Sequence, residues 1–301
     1  CPNRDGSKAT GGCLFCSGDG SGDFAGNPKD SLYKQFESVK EIMSLKWSDA
    51  FYIPYFQAYS NTYGSIDKLK ETFEPFIGYK NVIGMSIATR CDCINDEVVN
   101  YLKELKKNFK EFWVELGLQT SKKETMEFLN LKYTFNDFKN AVKLLNKANI
   151  DVIVHIIDGL PYESEQDQIK TIKDVSKLNI QGIKIHVLNV LDHTKLGQIY
   201  KEHPFKLLDE NEFVDFVKKC LEINPKKRPS ASKLLEHPFI INLAIKQLTY
   251  LKEDVIVHRI GADSKVEDLI APLWISKKLK IVDKIDILMN DNDIFQGDNY
   301  K

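Results

Sequence analysis

Cysteine is scarce in this sequence, with six in 301 residues, too few to staple a small secreted fold with disulfides. No apolar run reaches the about 18 residues that a membrane-spanning helix needs, and no signal peptide opens the chain. Charge of one sign is also lacking: 42 Lys and Arg stand against 43 Asp and Glu, for a net charge of -1. No global basic field therefore marks a nucleic-acid or membrane binder, although a local basic face stays open. The initiator Met is missing as well, since the chain opens on Cys1, and it reads as a fragment. These absences make a cytoplasmic protein with no membrane partner the expectation, and they leave the oligomeric state open.

What is present suits one large α/β domain or two smaller ones: 43% hydrophobic and 28% charged residues, enough to bury a core without cross-links. Short β-branched runs alternate with longer amphipathic stretches. The strand candidates are 51–57, 82–88, 112–118, 151–157 and 182–190, each starting about 30 to 40 residues after the last, the length of one βα unit. Between them, 96–107 predicts a helix with Val98, Val99, Leu102 and Leu105 on one face. A second helix is predicted over 135–147, with Phe138, Val142, Leu144 and Leu145 inward. The strands are almost continuously apolar, as parallel strands covered on both faces are. Regular βα repetition favours a full or partial barrel over a doubly wound sheet.

In a barrel, chemistry gathers where strands end and loops begin. Those ends carry Gln57, Tyr59 and Asn61; Ser86, Thr89, Arg90 and Asp92; Glu115 and Gln119; His155, Asp158 and Glu163; and His186 and Asn189. Any one is explained as a satisfied core polar group. Five successive strands ending this way predict a lined pocket.

Three of the cysteines, Cys1, Cys13 and Cys16, crowd the N-terminus around a glycine-rich loop. A Cys-x2-Cys pair lets two thiolates meet one centre, and the loop lets a third fold back. Three thiolates are one short of a closed structural zinc site and suit a [4Fe-4S] cluster with one iron left open. Zinc completed by His or Asp, and inert thiols, remain alternatives on spacing alone.

The stretches CPNRDGSKATGGCLFCSGDGSGDFAGN, YFQAYSNTY, SIATRCDC, VELGLQT, HIIDGLP, GIKIHVLNVL, VIVHRIGAD and LIAPLW resemble, in order and over most of the chain, radical SAM proteins of the kind related to the radical SAM half of the Elongator catalytic subunit. The resemblance implies a partial (β/α)6-type radical SAM barrel. It implies that Cys1, Cys13 and Cys16 ligate a [4Fe-4S] cluster and that S-adenosylmethionine (SAM) binds the open iron. Reductive cleavage of SAM to a 5′-deoxyadenosyl radical would follow, with the electron coming from a donor such as flavodoxin or ferredoxin. Gln57, Tyr59 and Asn61 would lie near the SAM amine, Gln119 at the ribose and the Gly159-Leu160-Pro161 turn at the adenine. Ser86 and Asp92 are further expected cofactor contacts, and Arg90, Glu115, His155 and His186 the expected catalytic groups.

The chain departs from that pattern in places. No strand precedes Cys1, so the first barrel strand is expected to be missing and Cys1 to sit on a mobile terminus. Related sequences carry an Asn-Arg pair whose arginine meets the SAM carboxylate; here Asn130-Leu131 stands there, with Lys132 the nearest cation. Cys91 replaces a proline, and Cys91 and Cys93 are too few for a second cluster. Residues 213–241 resemble the closing helices of a protein kinase C-terminal lobe, yet the glycine-rich loop, strand lysine, His-Arg-Asp and Asp-Phe-Gly motifs are all lacking, which excludes phosphoryl transfer. This segment, with Cys220 on its apolar side and the Lys226-Lys227-Arg228 knot, reads as an inserted helical segment. The expected domains are thus 1–212 for the barrel, 213–250 for the insertion and 251–301 for an extension that completes the family pattern, with a strand at 255–260 and an exposed helix at 276–292.

Three functions follow. The first is a radical SAM enzyme acting on RNA, with a tRNA wobble uridine as the expected substrate and Lys103, Lys106, Lys107 and Lys110 as a basic rim. The second keeps the radical chemistry for a small molecule or peptide. The third is a non-catalytic, truncated or chimeric metal-binding barrel.

Overall fold

The computed structural model describes residues 1–18, 20, 26–27, 29–208, 240–261, 265–272 and 278–300. Its central sheet has six strands, in the order β1 (Tyr55–Phe56), β2 (Gly84–Arg90), β3 (Glu111–Gln119), β4 (Asp151–Asp158), β5 (Gly182–Val187) and β7 (Ile256–Ile260). Neighbours β1–β2, β2–β3 and β5–β7 pair in parallel. Strands follow one another across the sheet without the reversal of a doubly wound fold, so the architecture is α/β, of the partial (β/α)6 barrel type expected from the sequence. The short β6 (Val190–Leu191) pairs antiparallel with β8 (Leu269–Ala271) in a separate ribbon.

Helices fill the connections: α1 (Leu32–Ser44), α2 (Ile66–Phe73), α3 (Asp96–Lys106), α4 (Lys123–Phe128), α5 (Phe135–Lys147), α6 (Glu165–Ser176), α7 (Lys195–Glu202), α8 (Ile240–Tyr250) and α9 (Lys278–Asp291). Local chemistry sets their starts. Asn95 accepts from the Val98 amide, and Thr134 with Asp137 and Ser164 with Asp167 form reciprocal capping boxes, each satisfying amides that the first turn cannot bond internally. The α3 face lies where its periodicity put it, with Val98, Val99, Leu102 and Leu105 buried. In α5, Phe138, Val142 and Leu145 are buried, but Ala141 takes the inward place expected of Leu144, which sits at the flank. The helix expected at 276–292 is α9, and it is not wholly exposed, since Ile285 is buried.

The chain divides into two compact units, Cys1–Leu118 with Asn130–Val154, and Gln119–Leu129 with His155–Lys301. The division passes through β3 and β4. Most of the kinase-like stretch, with Cys220 and the Lys226–Arg228 knot, lies outside the described residues. The end of the expected insertion is α8, and it belongs to the core of the second unit: Leu243, Ala244, Ile245 and Leu248 are buried, and Lys246 pairs with Glu165 of α6 at 2.6 Å.

Within the first unit, register sorts the strands into two faces. Ser86 lies beside Tyr55 and Trp113, Ala88 beside Glu115, and Arg90 beside Gly117. Alternation therefore puts Ser86, Ala88, Arg90, Trp113, Glu115 and Gly117 on one face, and Met85, Ile87, Phe112, Val114, Leu116 and Leu118 on the apolar other. Of the polar residues in these strands, Ser86, Arg90 and Glu115 share the first face, while Thr89 lies beside Leu116 on the other and bonds the Thr62 hydroxyl at 2.7 Å.

Candidate functional site

The cysteine loop belongs to the first unit and is knitted by its own backbone. The Cys1 carbonyl accepts from the amides of Arg4 and Asp5, the Pro2 carbonyl from Lys8 and Ala9, and the Asn3 carbonyl from Gly12 at 2.7 Å. Cys1 is thus part of a closed turn, with a side chain 11% exposed. The Cys16 amide returns to the Cys13 carbonyl at 3.1 Å, bringing the Cys-x2-Cys pair into one turn. Asn3 is fully buried; its Nδ2 lies 3.5 Å from the Cys13 sulfur and donates to the Asn130 carbonyl at 2.6 Å, while Asn130 Nδ2 donates to the Gly12 carbonyl at 2.8 Å.

Arg90, at the end of β2, closes on the same cysteine. Its Nη1 is 3.6 Å from Cys13 Sγ, its Nε and Nη2 each meet the Asp92 carboxylate at 2.9 Å, and Nη2 also donates to the Leu131 carbonyl at 2.6 Å. The guanidinium carbon lies 4.9 Å from the centre of the Tyr133 ring, whose hydroxyl donates to the Gly117 carbonyl at 2.9 Å. Lys8 adds a third bond to Asp92 at 2.8 Å. Burial works against the charge of both Arg90 and Asp92, and their mutual bonds outweigh it, raising the one pKa and lowering the other. The Cys13 thiol is pushed down to about 6, chiefly by its hydrogen bond with Cys16, with burial opposing and the Arg90 charge and the Asn3 and Arg90 donors assisting. Burial instead pushes Cys91 up, and Cys93 to about 11. Burial thus favours the thiol form of both, and none of the described cysteines is in a disulfide.

Other expected contacts of the first unit hold the loop or the sheet. Tyr59, at φ 63°, donates its hydroxyl to the Gly18 carbonyl and its amide to the Gly20 carbonyl, with Arg4 over its ring. Asn61 Nδ2 donates to the carbonyls of Phe56 at 2.9 Å and Ala88 at 2.8 Å, tying β1 to β2. Gln57 is exposed just past β1. Ser86 and the Trp113 indole both donate to Glu115 Oε1, at 2.8 and 3.0 Å, in a buried cluster. Lys132 is exposed at φ 61°, while the Leu131 side chain is fully buried. The cation against the Cys13 sulfur is Arg90. The lysine row is partly spent too: Lys107 pairs with Glu104 and Lys106 donates to the Asn149 carbonyl.

In the second unit, His155 of β4 and His186 of β5 meet through Nδ1 and Nε2 at 3.1 Å. Gln119 ends β3 at φ 71°, a left-handed conformation that costs a non-glycine residue about 1 kcal/mol or more. Gly159 has φ 78°, its amide donates to Gln168 Oε1 at 3.2 Å, and an added Cβ would meet Leu208 at 3.0 Å. The Gly159 amide expected at the adenine is thus already engaged. Burial lifts Glu163, which accepts from Thr120 at 2.6 Å. Sequence reasoning missed Asn3, Lys8, Trp113 and Tyr133.

Among the described residues no three His, Cys, Asp or Glu side chains converge to hold a single metal ion. A four-iron cluster takes each thiolate on a different iron, so its ligands stand wider apart. The donor set fits such a group: one thiol already lowered, its Cys-x2-Cys neighbour in the same turn, a cation and an amide aimed at its sulfur. Asn3 Oδ1 is buried without a partner among the described residues, in the same place.

Comparison with known proteins accounts for this arrangement. Residues 6–175 match the Radical SAM superfamily and residues 180–229 the Radical_SAM C-terminal domain. The chain is 39% identical to the uncharacterized protein YtqA of Bacillus subtilis, over 99% of this chain and 84% of that protein. The chain belongs to the radical SAM superfamily, and it is an enzyme of that class. A tRNA uridine(34) acetyltransferase of Methanocaldococcus jannaschii is 26% identical over 53% of this chain and 28% of that protein. The fold matches the Methanocaldococcus infernus Elp3 structure with a TM-score of 0.66 at 14% identity, covering 88% of this chain and 60% of that one. A 37-residue stretch is 57% identical to the Dictyostelium discoideum serine/threonine-protein kinase dst3, 7% of that protein. No described helix is long and apolar enough to cross a membrane.

Proposed function

We propose that this chain holds a [4Fe-4S] cluster on Cys1, Cys13 and Cys16, binds SAM beside it, and uses the pair to modify a tRNA wobble uridine. The observation that carries the reading is the Cys13 sulfur, which Asn3 Nδ2 meets at 3.5 Å and Arg90 Nη1 at 3.6 Å. When bound, cluster and SAM supply reductive cleavage to a 5′-deoxyadenosyl radical. The chain's own residues prepare the place. Tyr59 and Arg4 hold the loop closed, Asn61 fixes β1 on β2, and Asp92 with Lys8 aims Arg90 at the sulfur. Ser86 and Trp113 fix Glu115 on the polar face of the sheet, and His155 orients His186. The one-electron donor is of the flavodoxin or ferredoxin class.

The substrate half of the reading is supported by the likeness to the archaeal tRNA uridine(34) acetyltransferase over half of this chain. The net charge of -1 favours the second reading, a small molecule or peptide, because no basic field gathers RNA. Digestion of tRNA after incubation with anaerobically loaded protein, SAM and dithionite separates them. A new uridine derivative, and RNA binding that weakens steeply between about 50 and 200 mM salt, support the tRNA reading. SAM cleavage without either supports the small-molecule one.

A further inference from the structure

We infer that Arg90 is a positioning residue that sets the reduction potential of the cluster, by fixing one uncompensated positive charge against the Cys13 sulfur. This inference rests on the cluster reading given above and deepens it. Three observations carry it. First, the contact: Arg90 Nη1 is 3.6 Å from Cys13 Sγ. Second, the guanidinium cannot drift, because Asp92 grips it through two 2.9 Å bonds, the Leu131 carbonyl takes Nη2 and the Tyr133 ring lies beneath it. Such a fork leaves Nη1 as the part turned to the sulfur, which a lysine cannot imitate while still bridging to the carboxylate. Third, the charges do not cancel. Asp92 offsets one cation, but Lys8 bonds the same carboxylate at 2.8 Å, so two cations and one anion leave a single positive charge on the group whose Nη1 meets the sulfur.

Reduction adds one electron to the cluster and makes it more negative. A fixed cation at hydrogen-bond distance from a ligating sulfur favours that reduced state, and the low dielectric around a buried pair amplifies the effect. Because the side chains of Arg90 and Asp92 are only 10% and 4% exposed, little salt reaches them to screen it. Lys8, 42% exposed, acts at one remove and more weakly.

The test is a redox titration of the anaerobically loaded full chain, followed by the electron paramagnetic resonance signal of the reduced cluster, with iron and sulfide counted in each variant. At a fixed applied potential, Arg90→Gln is expected to lower the ratio of reduced to oxidised cluster about tenfold, equivalent to a midpoint about 59 mV lower for one electron. Arg90→Lys is expected to recover part of that loss, since the charge remains and the fork does not. Lys8→Gln is expected to lower the ratio by a smaller factor, and it decides the matter if Arg90→Gln does not retain the cluster. Loaded variants whose ratios match the wild type, or a Lys8→Gln ratio that stays level or rises, overturn the inference while leaving the cluster reading intact. Absence of a four-iron signal from the wild-type chain overturns the reading itself and this inference with it.

Discussion

Gln247 Nε2 donates to Asp158 Oδ1 at 2.7 Å, and both residues are buried, one on α8 and the other at the end of β4. Asp158 Oδ2 and Gln247 Oε1 each lack a partner among the described residues. Burial, with Glu163 adding to it, raises Asp158 to about 7 against the lowering effect of the Gln247 bond. The folded pKa exceeds the ordinary carboxylate value, so the protonated form favours the fold. That stability is complete below about pH 4 and is lost as pH rises through about 7. Thermal melting of Asp158→Asn against the wild type from pH 5 to 8.5 is the check. The wild type is expected to lose several degrees on the alkaline side, and Asp158→Asn to lose less.

Gly20 and Tyr59 make a second test, aimed at the cysteine loop. Gly20 has φ 62°, and an added Cβ would come 2.5 Å from the Tyr59 ring. Gly20→Ala therefore meets both backbone strain and a clash, a cost of about 1 kcal/mol or more, spent at the point where Tyr59 closes the loop. The expected outcome is a lower iron content after reconstitution, with Tyr59→Phe, which loses only the bond to the Gly18 carbonyl, falling less.

Leu131 and Lys132 are adjacent and should behave oppositely. Leu131 is fully buried, so Leu131→Ala leaves a cavity and is expected to cost about 2 to 5 kcal/mol in denaturant unfolding. Lys132 is exposed, and Lys132→Ala should stay within about 0.5 kcal/mol. SAM affinity measured on both variants then asks whether the lysine serves the carboxylate from the surface. A Lys132→Ala variant with unchanged affinity assigns no such part to it.

Much of this arrangement was legible in the chain because periodicity is a strong signal where strands and helices are long. Strands β2 to β5 and helices α3 and α5 lie within a few residues of their predicted spans. The 51–57 run shrank to Tyr55–Phe56, since Pro54 has no amide to give to a ladder. Residues with recognisable chemistry, such as Cys13, Cys16 and Arg90, could be named in advance. Their partners could not. Lys8 meets Asp92 and Asn3 meets Asn130 across 84 and 127 residues of chain, and no local pattern encodes a pairing at that separation.

The central claim is that this chain cleaves SAM reductively on a cluster held by its N-terminal cysteines. Its most direct test is 5′-deoxyadenosine formation by anaerobically reconstituted protein given SAM and dithionite, beside Cys13→Ala and Cys16→Ala variants. The account predicts 5′-deoxyadenosine from the wild type and none from either variant. Its absence from wild-type protein that carries a full four-iron cluster would contradict the account.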